Sequence, residues 1–156
     1  MSAVEKRLAE LGIELPDPAA PVGAYVPALL DGDRVWTSGQ LPYVAGVLAV
    51  TGRVGVGEGL VPPDVAAGLA RTAAINAIAA VRSVVGDLDR VARIVKVVGF
   101  VASDPSFTGQ PAVVNGASLL LHEVFGEAGV HARSAVGVAV LPMGSPVEVE
   151  LVAALR

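Results

Sequence analysis

The sequence contains no cysteine, which excludes disulfide bonds, thiolate nucleophiles and thiolate metal ligands. Aromatic residues make up only 4% of the chain, whereas hydrophobic residues make up 53%. The apolar mass is therefore mostly Ala, Val and Leu, and it exceeds what a monomer of this size usually buries. A chain of 156 residues can fold around a single hydrophobic core, so we expect one domain. We expect its excess of apolar residues to form subunit interfaces.

Positive charge and histidine are also scarce. Eleven Lys and Arg residues face fifteen Asp and Glu residues, which gives a net charge of −4 and argues against a nucleic-acid partner. His122-Glu123 begins the zincin helix motif, but position 126 is Gly rather than the second His. With only two histidines in the chain, a metal site or a serine triad has few candidate residues. We expect no metal and no cofactor.

Residues 35–52 carry no charge and have the length of a membrane span. They contain Gly39, Pro42, Gly46 and Gly52, however, which mark turns between strands and would leave backbone groups unpaired in lipid. We therefore expect no membrane partner. The first eleven residues are charged and lack the apolar region of a signal peptide, which favours a cytoplasmic location.

The apolar patterns predict an α+β fold, with two helices packed on one face of a mixed sheet and an extra helix at the N-terminus. Residues 1–22 are expected to form that helix (2–11) and a proline-rich linker (15–21), and residues 23–156 the domain. A hairpin turn is predicted at Asp31-Gly32, a plain loop at 55–59, and a helix end at Gly86. The run 94–102 is expected to be a central strand that is covered on both faces. The predicted strands are 24–30, 34–38, 47–54, 94–102, 134–141 and 147–155, and the predicted helices of the domain are 63–85 and 111–125.

Three charged residues of the C-terminal strands are candidates for chemistry. Arg133 opens an otherwise apolar strand, where its guanidinium could offer a fork to a carboxylate ligand or form an ion pair with a Glu of its own subunit. Glu148 and Glu150 are two residues apart and share one face of a strand. One of them could orient a water molecule beside a pocket, or both could lie on a solvated face.

Three segments resemble motifs of one known family. The C-terminal segment His131-Ala-Arg-Ser-Ala-Val-Gly-Val-Ala-Val-Leu-Pro142, followed by Val-Glu-Val-Glu at 147–150, resembles the C-terminal signature of the RidA/YjgF family. Gly23-Ala-Tyr25 and Thr37-Ser-Gly-Gln-Leu-Pro42 resemble its N-terminal motifs, in the same order. The resemblance extends from about Gly23 to the C-terminus.

The resemblance implies a chorismate-mutase-like fold and a homotrimeric barrel with clefts between subunits. It also implies hydrolysis of reactive 2-imino or enamine acids to 2-keto acids and ammonia, with a small carboxylate metabolite as ligand. Carried over to this chain, Arg133 would clamp the carboxylate and Glu148 would orient the attacking water. Tyr25, Ser38, Gly39, Asn115 and Ala135 would line the substrate pocket.

The chain departs from the family pattern near Arg133. Ala135 stands where many members have Cys, Gly137 where some have an acidic residue, and His131 where some have Pro. His131 is either a loop residue or a pocket wall that adds a titrating group. Two alternatives to the deaminase stay open: a non-catalytic module that binds a small carboxylate, and an endoribonuclease, against which the acidity and the lack of a histidine pair count.

Overall fold

The computed structural model describes residues 1–21 and 23–156. One sheet and two long helices form the body of the fold, and a short helix precedes them. The helices are α1 (Ala3–Glu10), α2 (Pro63–Val85) and α3 (Gln110–Phe125), and the strands are β1 (Ala28–Asp31), β2 (Arg34–Thr37), β3 (Val91–Ala102), β4 (Ala132–Val138) and β5 (Val147–Leu155).

The five strands form one mixed sheet in the order β1-β2-β5-β3-β4. Only β3 and β4 run parallel, and they pair Val97 with Arg133 and Phe100 with Val136. The long β5 lies antiparallel to β3, and Leu151 pairs with Val97 and Glu148 with Phe100. Because β4 stands at the edge, the strand that carries Arg133 has one free side.

Helices α2 and α3 cover one face of the sheet, as the sequence predicted. Their small residues allow the two helix backbones to meet, since a Cβ added at Gly116 would collide with the carbonyl group of Ala67. Beneath them lie fully buried apolar side chains of the sheet, among them Val35, Val97 and Leu151. The opposite face has no helix, and there Trp36 is 49% exposed and Val136 43% exposed.

Helix α1 is docked on the domain by charge at its first turn. Ser2 caps the helix in a reciprocal capping box with Glu5. The Asp89 carboxylate accepts the backbone N–H groups of Ala3 and Val4 at 2.8 and 2.9 Å, which lowers the pKa of this exposed carboxyl. Leu8 is buried beneath the helix. The expected domain boundary at residue 22 falls on a position outside the described residues.

The structure corrects five details of the sequence prediction. The predicted strand 47–54 is wrong, because this stretch makes only isolated bridges, Val44 to Val47 and Val54 to Val61 and Ser103. Strand β1 begins at Ala28 instead of 24, and β4 ends at Val138 instead of 141. The hairpin turn is Gly32-Asp33, one residue later than predicted, with Asp31 paired to Arg34. Within this chain β3 is covered on one face only.

Helix α2 is the one described helix whose length and composition would also suit a membrane span. More than half of its most apolar window, 56%, is buried inside the fold. That burial is typical of a core helix.

Candidate functional site

The guanidinium of Arg133 is held by neutral oxygens. Its Nη1 donates to Asn115 Oδ1 at 2.8 Å and to Ser118 Oγ at 3.2 Å, and Nη2 donates to the Pro111 carbonyl at 3.3 Å. Arg133 takes part in none of the ion pairs found within residues 1–21 and 23–156. The alternative of an ion pair with a Glu of the same chain is therefore wrong. The Nε–H and one N–H of Nη2 have no partner in the described chain.

Arg133 lines a pocket of about 330 Å³. The polar side chains of this arginine pocket are Asn115, Ser118, His122, His131 and Arg133. Leu119, Gly129 and Val130 complete its lining, and the part of the chain that the structure describes contributes no acidic residue to it. Asn115, Ser118 and His122 are spaced three and four residues apart on α3, so they share one helix face. The positive charge of Arg133 is therefore not neutralised, and the pocket is suited to an anion.

His131 extends the hydrogen-bond network of Arg133. Its Nε2 lies 2.9 Å from Ser118 Oγ and its Nδ1 lies 2.6 Å from the Gly129 carbonyl. Because a carbonyl only accepts, Nδ1 carries the proton, and Nε2 accepts the Ser118 hydroxyl. Burial lowers the pKa of His131, the bond to Gly129 opposes this, and the charge of Arg133 lowers the pKa further. His131 is therefore a neutral pocket wall, not merely a loop residue.

Glu148 lies on the other face of the sheet. Its cross-strand partner is Phe100, whereas Arg133 opposes the buried Val97, and residues paired across strands project to the same side. Glu148 is half-buried and belongs to none of the ion pairs of the described residues. Burial raises the pKa of its carboxyl, and the neighbouring Glu150 raises it further. An unpaired carboxyl with a raised pKa holds a proton more readily than an ordinary glutamate, which suits a group that accepts and returns a proton.

Two residues of the N-terminal motifs lie next to Glu148. A Cβ on Gly39 would come within 2.7 Å of the Glu148 Cδ and closer still to Oε1, so the carboxylate rests against the bare Cα of Gly39. Two backbone hydrogen bonds between Gln40 and Val149, with N···O distances of 2.8 and 3.0 Å, hold the two segments together. Ser38 Oγ donates to the Val26 carbonyl at 2.6 Å. We call Gly39, its chain neighbour Ser38 and Glu148 the glutamate cluster, in which the observed contact is that of Gly39 with Glu148.

A second and larger cleft of about 540 Å³ begins at Gly39. Its walls include Tyr25, Tyr43, Asn76 and Met143, and we call it the tyrosine cleft. Tyr25 is 47% exposed. The site residues expected from the sequence therefore divide into two groups within one chain. Arg133 and Asn115 lie in the arginine pocket, with Ala135 on the same sheet face, whereas Tyr25, Ser38, Gly39 and Glu148 lie at the other site.

Sequence reasoning missed three residues of these sites. Ser118 and His122 line the arginine pocket, and their spacing from Asn115 in an apolar helix was the signal that could have indicated them. Asn76 is buried in the apolar run 73–81 of α2 and donates to the carbonyls of Leu41 and Tyr43 at 2.9 and 3.0 Å. A lone amide in such a run predicts a polar contact to a loop. No group of three or more His, Asp or Glu residues that could hold a metal occurs in residues 1–21 and 23–156.

Comparison with known proteins gives one family for nearly the whole chain. The family described as "YjgF/chorismate mutase-like, putative endoribonuclease" matches residues 5–155. Protein TCP17 of Trypanosoma cruzi is 44% identical over 154 residues, which cover 98% of this chain and 94% of TCP17.

Solved structures are similar along the same length. Atu1372 of Agrobacterium tumefaciens, a protein of unknown function, is 43% identical with a TM-score of 0.89, covering 98% of this chain and 92% of Atu1372. A protein of Shewanella oneidensis, described as a putative endoribonuclease, is 36% identical with a TM-score of 0.93, covering 99% and 100% of the two chains. E. coli TdcF, solved with bound serine, is 27% identical with a TM-score of 0.59, covering 90% and 94%.

Proposed function

Because the chain belongs to the YjgF/chorismate mutase-like family, we propose that it hydrolyses reactive 2-imino or enamine acids to 2-keto acids and ammonia, in clefts between the subunits of a homotrimer. The observation that carries this proposal is that Arg133 and Glu148 lie on opposite faces of one sheet. Among the described residues, Arg133 has no acidic partner and the half-buried Glu148 has no cationic partner.

Arg133 is the carboxylate clamp of this proposal. Neutral oxygens fix three of its N–H groups and leave Nε–H and one N–H of Nη2 to bind an anion. Charge-assisted hydrogen bonds of this kind are about twice as strong as neutral ones. The bound serine of TdcF, a relative, is a small acid of the class that such a clamp recognises.

Glu148 orients and deprotonates the water. The water oxygen forms a bond to the imine carbon while one water proton passes to the Glu148 carboxylate, which returns it to the nitrogen and leaves a carbinolamine. Glu148 then carries the remaining hydroxyl proton to the nitrogen as the C–N bond breaks, so that ammonia leaves and the oxygen stays as the carbonyl of the 2-keto acid. An imine is already electrophilic, so a positioned water and a proton carrier supply what the reaction needs.

The trimer unites the two groups. A side chain on one face of a sheet does not reach a ligand on the other face of the same sheet, so Arg133 of one subunit and Glu148 of a neighbour would share a substrate. The face that carries Glu148 also holds the exposed Trp36 and Val136, an apolar surface suited to a neighbouring subunit.

Rate and binding measurements with variants test the proposal. 2-Iminopropanoate or 2-iminobutanoate is generated in situ, the remaining imine is trapped, and 2-keto acid binding is measured by calorimetry. Glu148→Gln should slow hydrolysis about 10²-fold with nearly unchanged keto-acid affinity. Glu150→Gln, two residues away on the same face, is the matched control and should be close to wild type.

Arg133→Ala should lose about 2–4 kcal/mol of keto-acid binding free energy, and Arg133→Lys should recover only part because ammonium lacks the fork. Arg34→Ala removes an exposed arginine that pairs with Asp33 and serves as the control. A wild type that binds keto acids but does not accelerate imine loss would replace the deaminase with a binding module.

One observation favours the endoribonuclease as a second candidate. Both histidines of the chain, His122 and His131, line the arginine pocket, although no sequence motif pairs them. Purified protein incubated with single-stranded RNA tests this function. We expect no cleavage above the level of an Arg133→Ala control, and cleavage that His122→Ala and His131→Ala each abolish would reverse the ranking.

A further inference from the structure

The tyrosine cleft is too large for the smallest acids of the proposed reaction. A four-carbon imino acid has seven heavy atoms and would fill about 200 Å³ if each took as much room as a water molecule in the liquid, about 30 Å³. The cleft measures about 540 Å³, a size typical of sites that enclose larger ligands.

The cleft and the glutamate cluster meet at Gly39. That residue lines the cleft on one side, and the Glu148 carboxylate rests against it. A substrate whose reacting carbon lies at Glu148 can therefore extend its side chain into the cleft.

The lining defines the chemistry of that side chain. Apolar and aromatic residues predominate, and Asp17 is the one charged residue among the described residues that line the cleft. No lysine or arginine of the described chain lies there to hold a carboxylate, so the acid group must be bound elsewhere. An acidic side chain is disfavoured by Asp17 as well.

A single polar group points to the cleft from α2. Both amide hydrogens of Asn76 are used by the carbonyls of Leu41 and Tyr43, which fixes the orientation of the amide. Its Oδ1 remains as a hydrogen-bond acceptor. This oxygen is not fully buried, so a ligand in the cleft can reach it. An apolar side chain that also carries one hydrogen-bond donor would fit best.

Backbone strain marks the same place. Among the described residues, the two non-glycine residues with positive φ are Ala45 at 49° and Met143 at 60°, and both line the cleft. Such strain persists where the surrounding structure over-determines the backbone, and it tends to cluster at ligand sites.

We propose that the tyrosine cleft binds the side chain of the substrate and selects 2-imino acids with a large apolar or aromatic side chain over three- and four-carbon or acidic ones. This proposal rests on the proposed function, since it assigns the substrate class of the same site. One wall comes from the N-terminal segment, where Pro16 and Ala20 line the cleft, so this segment takes part in specificity.

Hydrolysis rates for imines of different side chains test the selection. Amino-acid oxidases of matching specificity generate the imines of alanine, leucine, phenylalanine and glutamate in situ. The kcat/KM values for the leucine and phenylalanine imines should exceed that of 2-iminopropanoate at least about 10-fold, the smallest effect expected of an apolar pocket. The glutamate imine should be the poorest.

Two tryptophan variants separate the cleft from the rest of the site. Ala20→Trp should lower kcat/KM for the phenylalanine imine at least about 10-fold and leave 2-iminopropanoate within about twofold. Ala9→Trp, on the exposed face of α1, should change neither. Equal effects of Ala20→Trp on both imines, or a wild-type preference for 2-iminopropanoate, would overturn the assignment.

Binding of stable 2-keto acids keeps the two proposals distinguishable. If no imine is hydrolysed faster than in buffer, the deaminase proposal fails, and calorimetry with phenylpyruvate and pyruvate then decides on the cleft. Tighter binding of phenylpyruvate that Ala20→Trp abolishes supports the cleft, whereas equal or absent binding refutes it.

Discussion

A methyl group added at Gly39 would occupy space that the Glu148 carboxylate fills. In Gly39→Ala the new Cβ would meet the far end of a flexible side chain, so Glu148 must rotate away while the backbone can stay. An off-rotamer side chain costs about 0.5–1.5 kcal/mol, and replacing Gly by Ala at an unstrained position stabilises by about 0.4–1 kcal/mol. The two terms nearly cancel. We expect the free energy of unfolding to change by less than about 1 kcal/mol.

The effect on catalysis should be much larger than the effect on stability. A displacement of about 1 Å of a catalytic group can cost about 10²-fold in rate. Gly39→Ala should therefore slow imine hydrolysis about as much as Glu148→Gln. Because both changes remove the same function, the double variant should be no slower than either single variant.

Gly116→Ala is the matched control for the added methyl group. Its Cβ would meet the backbone carbonyl of Ala67, so helices α2 and α3 would have to separate. We expect a loss of about 1–3 kcal/mol of stability, the usual cost of overpacking. Urea unfolding and the imine assay measure both quantities. Full activity in Gly39→Ala, or effects of Gly39→Ala and Glu148→Gln that multiply in the double variant, would refute the reasoning.

The remaining predictions concern pH and assembly. Because the pKa of Glu148 is raised in the folded state, the folded protein binds more protons than the unfolded protein at pH values above the ordinary pKa of 4.5. The free energy of unfolding should therefore fall as pH rises through the folded pKa. Glu148→Gln should flatten this fall in urea titrations at different pH. The lowered pKa of His131 has the opposite sign, so the free energy of unfolding should fall as pH drops below 6.5, and His131→Asn should lose that dependence. Light scattering should give about three times the chain mass of 15.7 kDa, and a monomer at micromolar concentration would contradict the shared cleft.

The sequence predicted the sheet and the helices where apolar patterns were long. The run 63–85 is an unbroken helix because its small apolar residues and the terminal Gly86 both favour one, and the alternation of apolar and acidic residues over Val147–Leu151 indicates the strand that begins there. The prediction for 47–54 was wrong because its valines have high strand propensity, whereas Gly52 interrupts the run and the described residues pair with it only through isolated bridges.

The candidate site could be predicted only in part. The resemblance of the motifs indicated Arg133 and Glu148. Their side chains project to opposite faces of the sheet because of the registers in which β4 and β5 each pair with β3, and the sequence motifs do not specify these registers. The contact of Glu148 with Gly39 joins segments more than a hundred residues apart and has no local signal. The tyrosine cleft was missed for the same reason, since its walls come from loops whose conformation no periodicity specifies.

The hydrogen bonds between Asp89 and the first turn of α1 have an evolutionary consequence. Helix α1 and strand β1 are each anchored to the domain, so the segment between them is a tether with two fixed ends. Insertions or replacements in this tether reshape a wall of the tyrosine cleft while the register of the sheet, and with it Arg133 and Glu148, stays unchanged. Proteins that share the catalytic residues can therefore differ in substrate preference through changes confined to the segment between Glu10 and Ala28.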